Sequence, residues 1–105
     1  MISVTASAKE KLKQALQKQT SDPEVAMRIT SNFRMANRLE LILDKEKRGD
    51  KVVHSTEGGK VLLMRPEIAK GLKGIVLDYG KTFYGTDFII AKKYSQKKTR
   101  VPVEG

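Results

Sequence analysis

The side chains that could do chemistry are few in this chain. None of its 105 residues is a cysteine. That removes thiol nucleophiles, disulfides, thiolate zinc sites and thiolate-held iron–sulfur clusters together, because each needs the sulfur itself. His54 is the single histidine, so a multi-histidine metal site is impossible and a Ser-His-Asp triad would have to be built around this one ring. No nucleophile motif surrounds it, and a surface position at the end of a short strand is its expected place. Asp44, Glu46 and Asp50 are a dense group of carboxylates. Their spacing does not meet that of a calcium loop, and Lys45, Lys47 and Arg48 among them would repel a cation, so a solvated turn is expected there. No Gly-rich strand-to-helix fingerprint supports a nucleotide-phosphate loop, and the pair Gly71 and Gly74 is too sparse to stand in for one. Asp78 and Tyr79 form a polar pair at the end of an apolar strand, with Tyr79 expected as a half-buried packing residue. Tyr94, set among Lys92, Lys93, Lys97, Lys98 and Arg100, offers one stacking ring with cations around it, the minimum of a single-strand binder.

The elements that must position these residues follow from periodicity. Ala8, Leu12, Ala15 and Leu16 recur at helical spacing with Lys9, Lys11, Lys13 and Lys18 off the stripe. Ser7 with Glu10 reads as a capping box, with Thr5 as the other candidate cap, and Thr20 to Pro23 stop the helix. Short strands are expected at Val25–Thr30, Arg38–Leu43, Lys51–His54 and Val61–Met64, the last two joined by a turn over Thr56–Gly59. Pro66 opens a short helix with Ile68, Ala69 and Leu72 on its apolar face. Ile75–Tyr79 and Thr86–Ala91 close the series. Consecutive strands with few crossover helices argue for an α+β domain with mixed or antiparallel β-sheets, sandwich-like, carrying one N-terminal helix and one short helix.

One domain's worth of chain is present, with 39% hydrophobic residues to build one core. Twenty-one Lys and Arg against 12 Asp and Glu give a net charge of +9, which favours acidic partners without naming one. From Lys92 on, five cations face only Glu104, so residues 1–91 are expected to form the domain and 92–105 a basic, flexible tail. The longest apolar runs fall far short of the roughly 20 residues that span a bilayer. With no apolar signal core at the N-terminus, a cytoplasmic location and no membrane contact are expected.

The whole chain resembles the HesB-like, IscA-like A-type carriers of iron–sulfur cluster assembly. The opening from Ile2 to Leu16 looks like that family's strand followed by a capped helix. Met27-Arg28-Ile29 resembles its first sheet strand, and Met35 to Leu41 the stretch after its first cysteine. Gly49 to Val53 and Gly59 to Met64 are similar to its next strands. Leu72-Lys73-Gly74-Ile75-Val76-Leu77-Asp78-Tyr79 is similar to its "L-x-G-x-x-L-D-aromatic" signature, and Asp87 to Ile90 stands where a Gly-Phe strand is normal. The resemblance implies a HesB-like fold. It also places the family's first cysteine at about Asn32 and its Cys-x-Cys pair within Ser95 to Thr99. Asn is a weak, neutral donor and lysine is a cation, so neither replaces thiolate on iron. The segment Ser31 to Arg34 is also shortened relative to the family loop.

A non-enzymatic, cysteine-less protein of this fold is therefore expected, in a protein-interaction or regulatory role linked to iron–sulfur or sulfur metabolism. It is assigned no catalytic residue, metal or cofactor. The interaction residues are Phe33, Arg34, Met35 and Arg38 in one loop, since aromatic and Arg side chains supply contact energy, and Lys92, Lys93, Tyr94, Lys97, Lys98 and Arg100 in the other. An unidentified protein is the expected partner, and self-association stays open. Nucleic acid bound by the basic tail and the N-terminal helix is the alternative. Mononuclear iron on the oxygen ligands Asp78 and Tyr79 is a third, weaker reading.

Overall fold

The computed structural model describes the backbone of residues 2–32, 38–82, 85–92 and 98–101, with side chains over the same spans except 31, 32, 38, 82, 92 and 98–100. The elements run β1 (Ser3–Val4), α1 (Ala6–Gln19), β2 (Val25–Asn32), β3 (Arg38–Lys45), β4 (Lys51–His54), β5 (Lys60–Met64), α2 (Pro66–Gly71), β6 (Ile75–Thr82), β7 (Gly85–Lys92) and β8 (Lys98–Arg100). This is an α+β fold of two four-stranded sheets, ordered β1-β6-β7-β8 and β3-β2-β5-β4. Both are mixed, because β1 runs parallel to β6 and β2 parallel to β5 while the other pairs are antiparallel.

The helical stripe behaves as its spacing requires: Ala8 and Leu12 are fully buried and Leu16 nearly so. They join a core that takes Met27, Ile29, Leu41 and Leu62 from one sheet and Leu77 and Phe88 from the other. The helix starts earlier than the Ser7–Glu10 box suggests. Thr5 is the cap, extended at φ −68° and ψ 160°, with its hydroxyl accepting the Ala8 N–H at 3.2 Å. The reason lies in the adjoining strand, since Thr5 N–H donates to the Leu77 carbonyl at 3.0 Å and so continues the β1–β6 pairing up to the helix.

Strands β2 and β3 run further than the expected Val25–Thr30 and Arg38–Leu43. Their register is continuous from Val25 opposite Lys45 to Asn32 opposite Arg38, so each residue added to one strand finds its ladder partner on the other. Pro66 sits in the first turn of α2, where its missing N–H costs nothing. Beyond that helix Gly74 has φ +82°, a left-handed conformation open to glycine that aims the chain into β6.

The C-terminal segment departs from the expected flexible tail over 92–105. Residue 92 still belongs to β7, where it pairs with Ile75. Lys98–Arg100 pairs antiparallel with β7, placing Lys98 opposite Ala91 and Arg100 opposite Ile89. Val101 N–H donates to the Phe88 carbonyl at 3.0 Å, and its side chain is buried. Ladder bonds and one anchored valine thus tie this cationic stretch to the body.

Candidate functional site

The most elaborate polar arrangement is buried. Arg28 lies in β2 between the core residues Met27 and Ile29, yet it is only 4% exposed. Its Nε donates to Asp44 Oδ2 at 2.6 Å, Nη1 to Asp50 Oδ1 at 3.0 Å, and Nη2 to Asp50 Oδ2 at 2.6 Å and to the Lys45 carbonyl at 3.1 Å. The Asp50 side chain is fully buried and also accepts from Arg65 Nη1 at 3.0 Å and the Lys47 N–H at 2.6 Å. Those hydrogen bonds, Arg28 first, hold the Asp50 carboxyl well below the usual carboxylate range. Burial acts to raise Asp44, but the Lys45 N–H and Arg28 outweigh it and leave its pKa lowered. Four donors saturate Asp50, so this cluster fastens the β3–β4 loop over the sheet and has no free valence for a ligand. The expectation of a solvated turn holds for residues 45–49, which are exposed, and is corrected at Asp50, whose side chain is buried against Arg28, and in part at Asp44. The signal in the sequence was a lone arginine inside the run Val25-Ala26-Met27-Arg28-Ile29, a charge among core residues that must find a carboxylate.

Two concavities are lined by described residues. A cleft of about 720 Å³ lies between the end of α1, residues 20–25 and the β4–β5 turn. Two of its cations are already neutralised, Lys13 by Glu57 at 2.5 Å and Lys60 by Glu24 and Glu46, each at 3.1 Å, while Lys18, which also lines it, has no ion pair among the described residues. The hydrogen bond to Glu57 raises the Lys13 pKa, and those to Glu24 and Glu46 raise that of Lys60. A smaller groove of about 250 Å³ lies between α1 and the β6–β7 pair, lined by Lys11, Gln14, Ala15, Lys18, Gln19, Tyr79 and Phe88. The Tyr79 ring meets the buried Phe88 edge-on, with centroids 5.0 Å apart and planes at 69°. The Lys11 ammonium stands 5.2 Å from the centre of the Tyr79 ring.

The residues singled out from the sequence fall as follows. Phe33, Arg34, Met35, Lys93, Tyr94 and Lys97 lie outside the described residues. Arg38 opens β3 opposite Asn32, the residue to which the resemblance assigns the first cysteine position. Lys92 ends β7, and Lys98 and Arg100 lie in β8. The two loop regions thus adjoin hairpins from different sheets. His54 is exposed at the end of β4, beside a register shift. Tyr79 is half-buried, as expected of a packing residue. Asp78 and Tyr79 are consecutive in β6, which sends their side chains to opposite faces, and Asp78 accepts from the Thr5 hydroxyl at 2.6 Å. They cannot chelate one iron together. Among the described residues no group of three His, Cys, Asp or Glu could hold a metal ion. Gly80-Lys81-Thr82 matches the end of a phosphate-loop motif, but it closes a strand that pairs with β7 and opens no helix, so it lacks the helix N-terminus that motif uses.

No protein-family model and no curated protein matches the sequence. Solved structures do. The chain is similar to IscA, in a crystal structure with its 2Fe-2S cluster, at 16% identity and a TM-score of 0.58, over 92% of this chain and 89% of that one. It is likewise similar to Escherichia coli SufA, described as involved in biosynthesis of iron–sulfur clusters, at 15% identity and a TM-score of 0.62, over 90% of this chain and 82% of that one. No helix among the described residues is long and apolar enough to cross a membrane. The arrangement of two mixed sheets with a capped N-terminal helix and a short second helix is the HesB/IscA-like fold, which this chain carries without a single cysteine.

Proposed function

We propose that this protein works without catalysis, by binding another protein of iron–sulfur or sulfur metabolism on a carrier scaffold that holds no cluster of its own. One observation carries the reading: the fold shared with IscA and SufA occurs in a chain with no thiol to offer iron. Histidine replaces thiolate in 2Fe-2S centres only in part, two rings on one iron with thiolates kept on the other, and this chain has one histidine and no cysteine. Binding is then the activity left to the scaffold. The two stretches assigned to contact, around Phe33 to Arg38 and Lys92 to Arg100, each adjoin an edge strand, β3 in one sheet and β8 in the other. Sheet edges present unpaired backbone groups that a partner chain can meet.

Anaerobic reconstitution with ferrous iron and sulfide, followed by visible absorption and iron analysis, tests this. The expected product is protein without a charge-transfer band and without bound iron, and a stoichiometric cluster would overturn the proposal. A second reading, nucleic-acid binding by α1 and the basic C-terminal segment, is favoured by the net charge of +9. A titration with oligonucleotide at low salt decides it, since electrostatic binding is strongest there and its absence removes the reading.

A further inference from the structure

The cations are not spread evenly over the fold. Residues 3–19 and 75–101, which supply α1 and the sheet containing β1, hold ten Lys and Arg against the three carboxylates Glu10, Asp78 and Asp87; residues 20–74 hold eleven against eight. The ion pairs of Lys13, Arg28, Lys45, Lys47, Lys60 and Arg65 all run to carboxylates between Asp22 and Glu57. The larger cleft, although roomier, therefore presents mostly paired charge: it shares the unpaired Lys18 with the smaller groove, but Asp22 and Glu57 stand in its lining. Among the described residues no carboxylate lines the wall of the smaller groove. Lys11 and Lys18 are exposed there, on the same face of α1, with no acidic partner among the described residues.

We propose that this groove, between α1 and β6–β7, is a binding site for one nucleotide of a single-stranded nucleic acid, with the base on Tyr79 and the phosphates on Lys11 and Lys18. The inference rests on the second reading above and gives it a location apart from the C-terminal segment. Phe88, buried and edge-on to Tyr79, fixes the ring from one side, so little side-chain freedom is lost when a base stacks. Lys11 covers the ring in the free protein. It is exposed, and its flexible stem lets it swing from the ring to a phosphate as a base arrives. Gln19 adds an amide donor and acceptor at the rim, and Gln14, whose amide nitrogen donates to Glu10 at 3.4 Å, adds an acceptor, which suits base edges without dictating their identity. A cluster of carboxylates on an acidic protein would also find the lysines. It would gain nothing from Tyr79, whose ring face is electron-rich and attracts cations rather than anions. An aromatic floor combined with unpaired cations therefore favours nucleic acid. A volume of about 250 Å³ suits a single nucleoside and excludes a duplex.

Fluorescence anisotropy with labelled oligothymidylate at low salt is the test, run beside a duplex and with polyglutamate as competitor. Tyr79→Leu, which keeps apolar volume under α1 but removes the ring, is expected to weaken oligothymidylate binding by about tenfold, and Tyr79→Phe to leave it near wild type. Lys11→Gln and Lys18→Gln should each lower the slope of log affinity against log salt by about one. Both lysines are exposed, so these variants report on binding even if Tyr79→Leu perturbs the fold. Binding that is insensitive to Tyr79→Leu and Lys18→Gln but lost in Lys93→Gln/Lys97→Gln would overturn the groove and leave the C-terminal reading standing. No binding at low salt overturns both. Equal affinity for the duplex, or displacement by polyglutamate as strong as by oligothymidylate, would also overturn the proposal, the latter in favour of an acidic protein.

Discussion

Arg28 is the residue on which the outer face of the β3-β2-β5-β4 sheet depends. Its guanidinium spends its donors on Asp44, Asp50 and the Lys45 carbonyl, within a site where the Asp50 side chain is wholly buried. Removing one partner of such a pair leaves an uncompensated charge, so Asp50→Ala should cost about 3–5 kcal/mol in urea unfolding. Arg28→Lys should not rescue the fold, because a lysine cannot reproduce the two-pronged contact with Asp50. The same pair sets a pH dependence. Asp50 titrates lower in the folded chain than in the unfolded one, so its contribution is complete above roughly pH 4 and is lost as the pH falls toward the folded value. An acid-unfolding profile should therefore lose part of its slope in Asp50→Ala. These roles were illegible locally: Arg28 and Arg65 stand 22 and 15 residues from Asp50, and a run of alternating charge looks the same whether it is solvated or folded back on a buried arginine.

At the scale of elements, what a sequence shows is what its periodicity makes visible. The stripe of Ala8, Leu12 and Leu16 and the apolar run Val61 to Met64 announce α1 and β5 because burial of one helix face, or of a whole strand, selects those side chains. Strands β1 and β8 span two and three residues, too few for any period, and they exist because β6 and β7 offer them a ladder. The position of the helix cap was hidden for the same reason. Ser7 and Glu10 have the composition of a capping box, but both are exposed, and Thr5 takes the role because its hydroxyl bridges Ala8 and Asp78. Thr5→Ala should accordingly lower stability by about 1–2 kcal/mol, while Thr5→Ser changes little. Ser7→Ala should stay within about 0.5 kcal/mol of wild type. Thermal unfolding of the three variants side by side distinguishes the two caps.

Over the whole molecule, charge and packing divide differently from the expected domain and tail. The cationic C-terminal stretch contributes β8 to a sheet and Val101 to the core. Val101→Ala should cost about 2 kcal/mol for the buried methyl groups it removes. Truncation after residue 92 should cost more, since it also unpairs β8 from β7, and chemical denaturation of both forms would show the order. The two sheets differ in another respect, because β2 to β5 are contiguous in the chain, whereas β1 must wait for β6. Thr5 and Asp78 are 73 residues apart. At a synthesis rate of about 5–20 residues per second the ribosome needs several seconds to deliver that partner. Through that interval the contiguous sheet can close while the first turn of α1 lacks its link to Asp78, so the N-terminal end of the newborn chain is among the last parts to be secured.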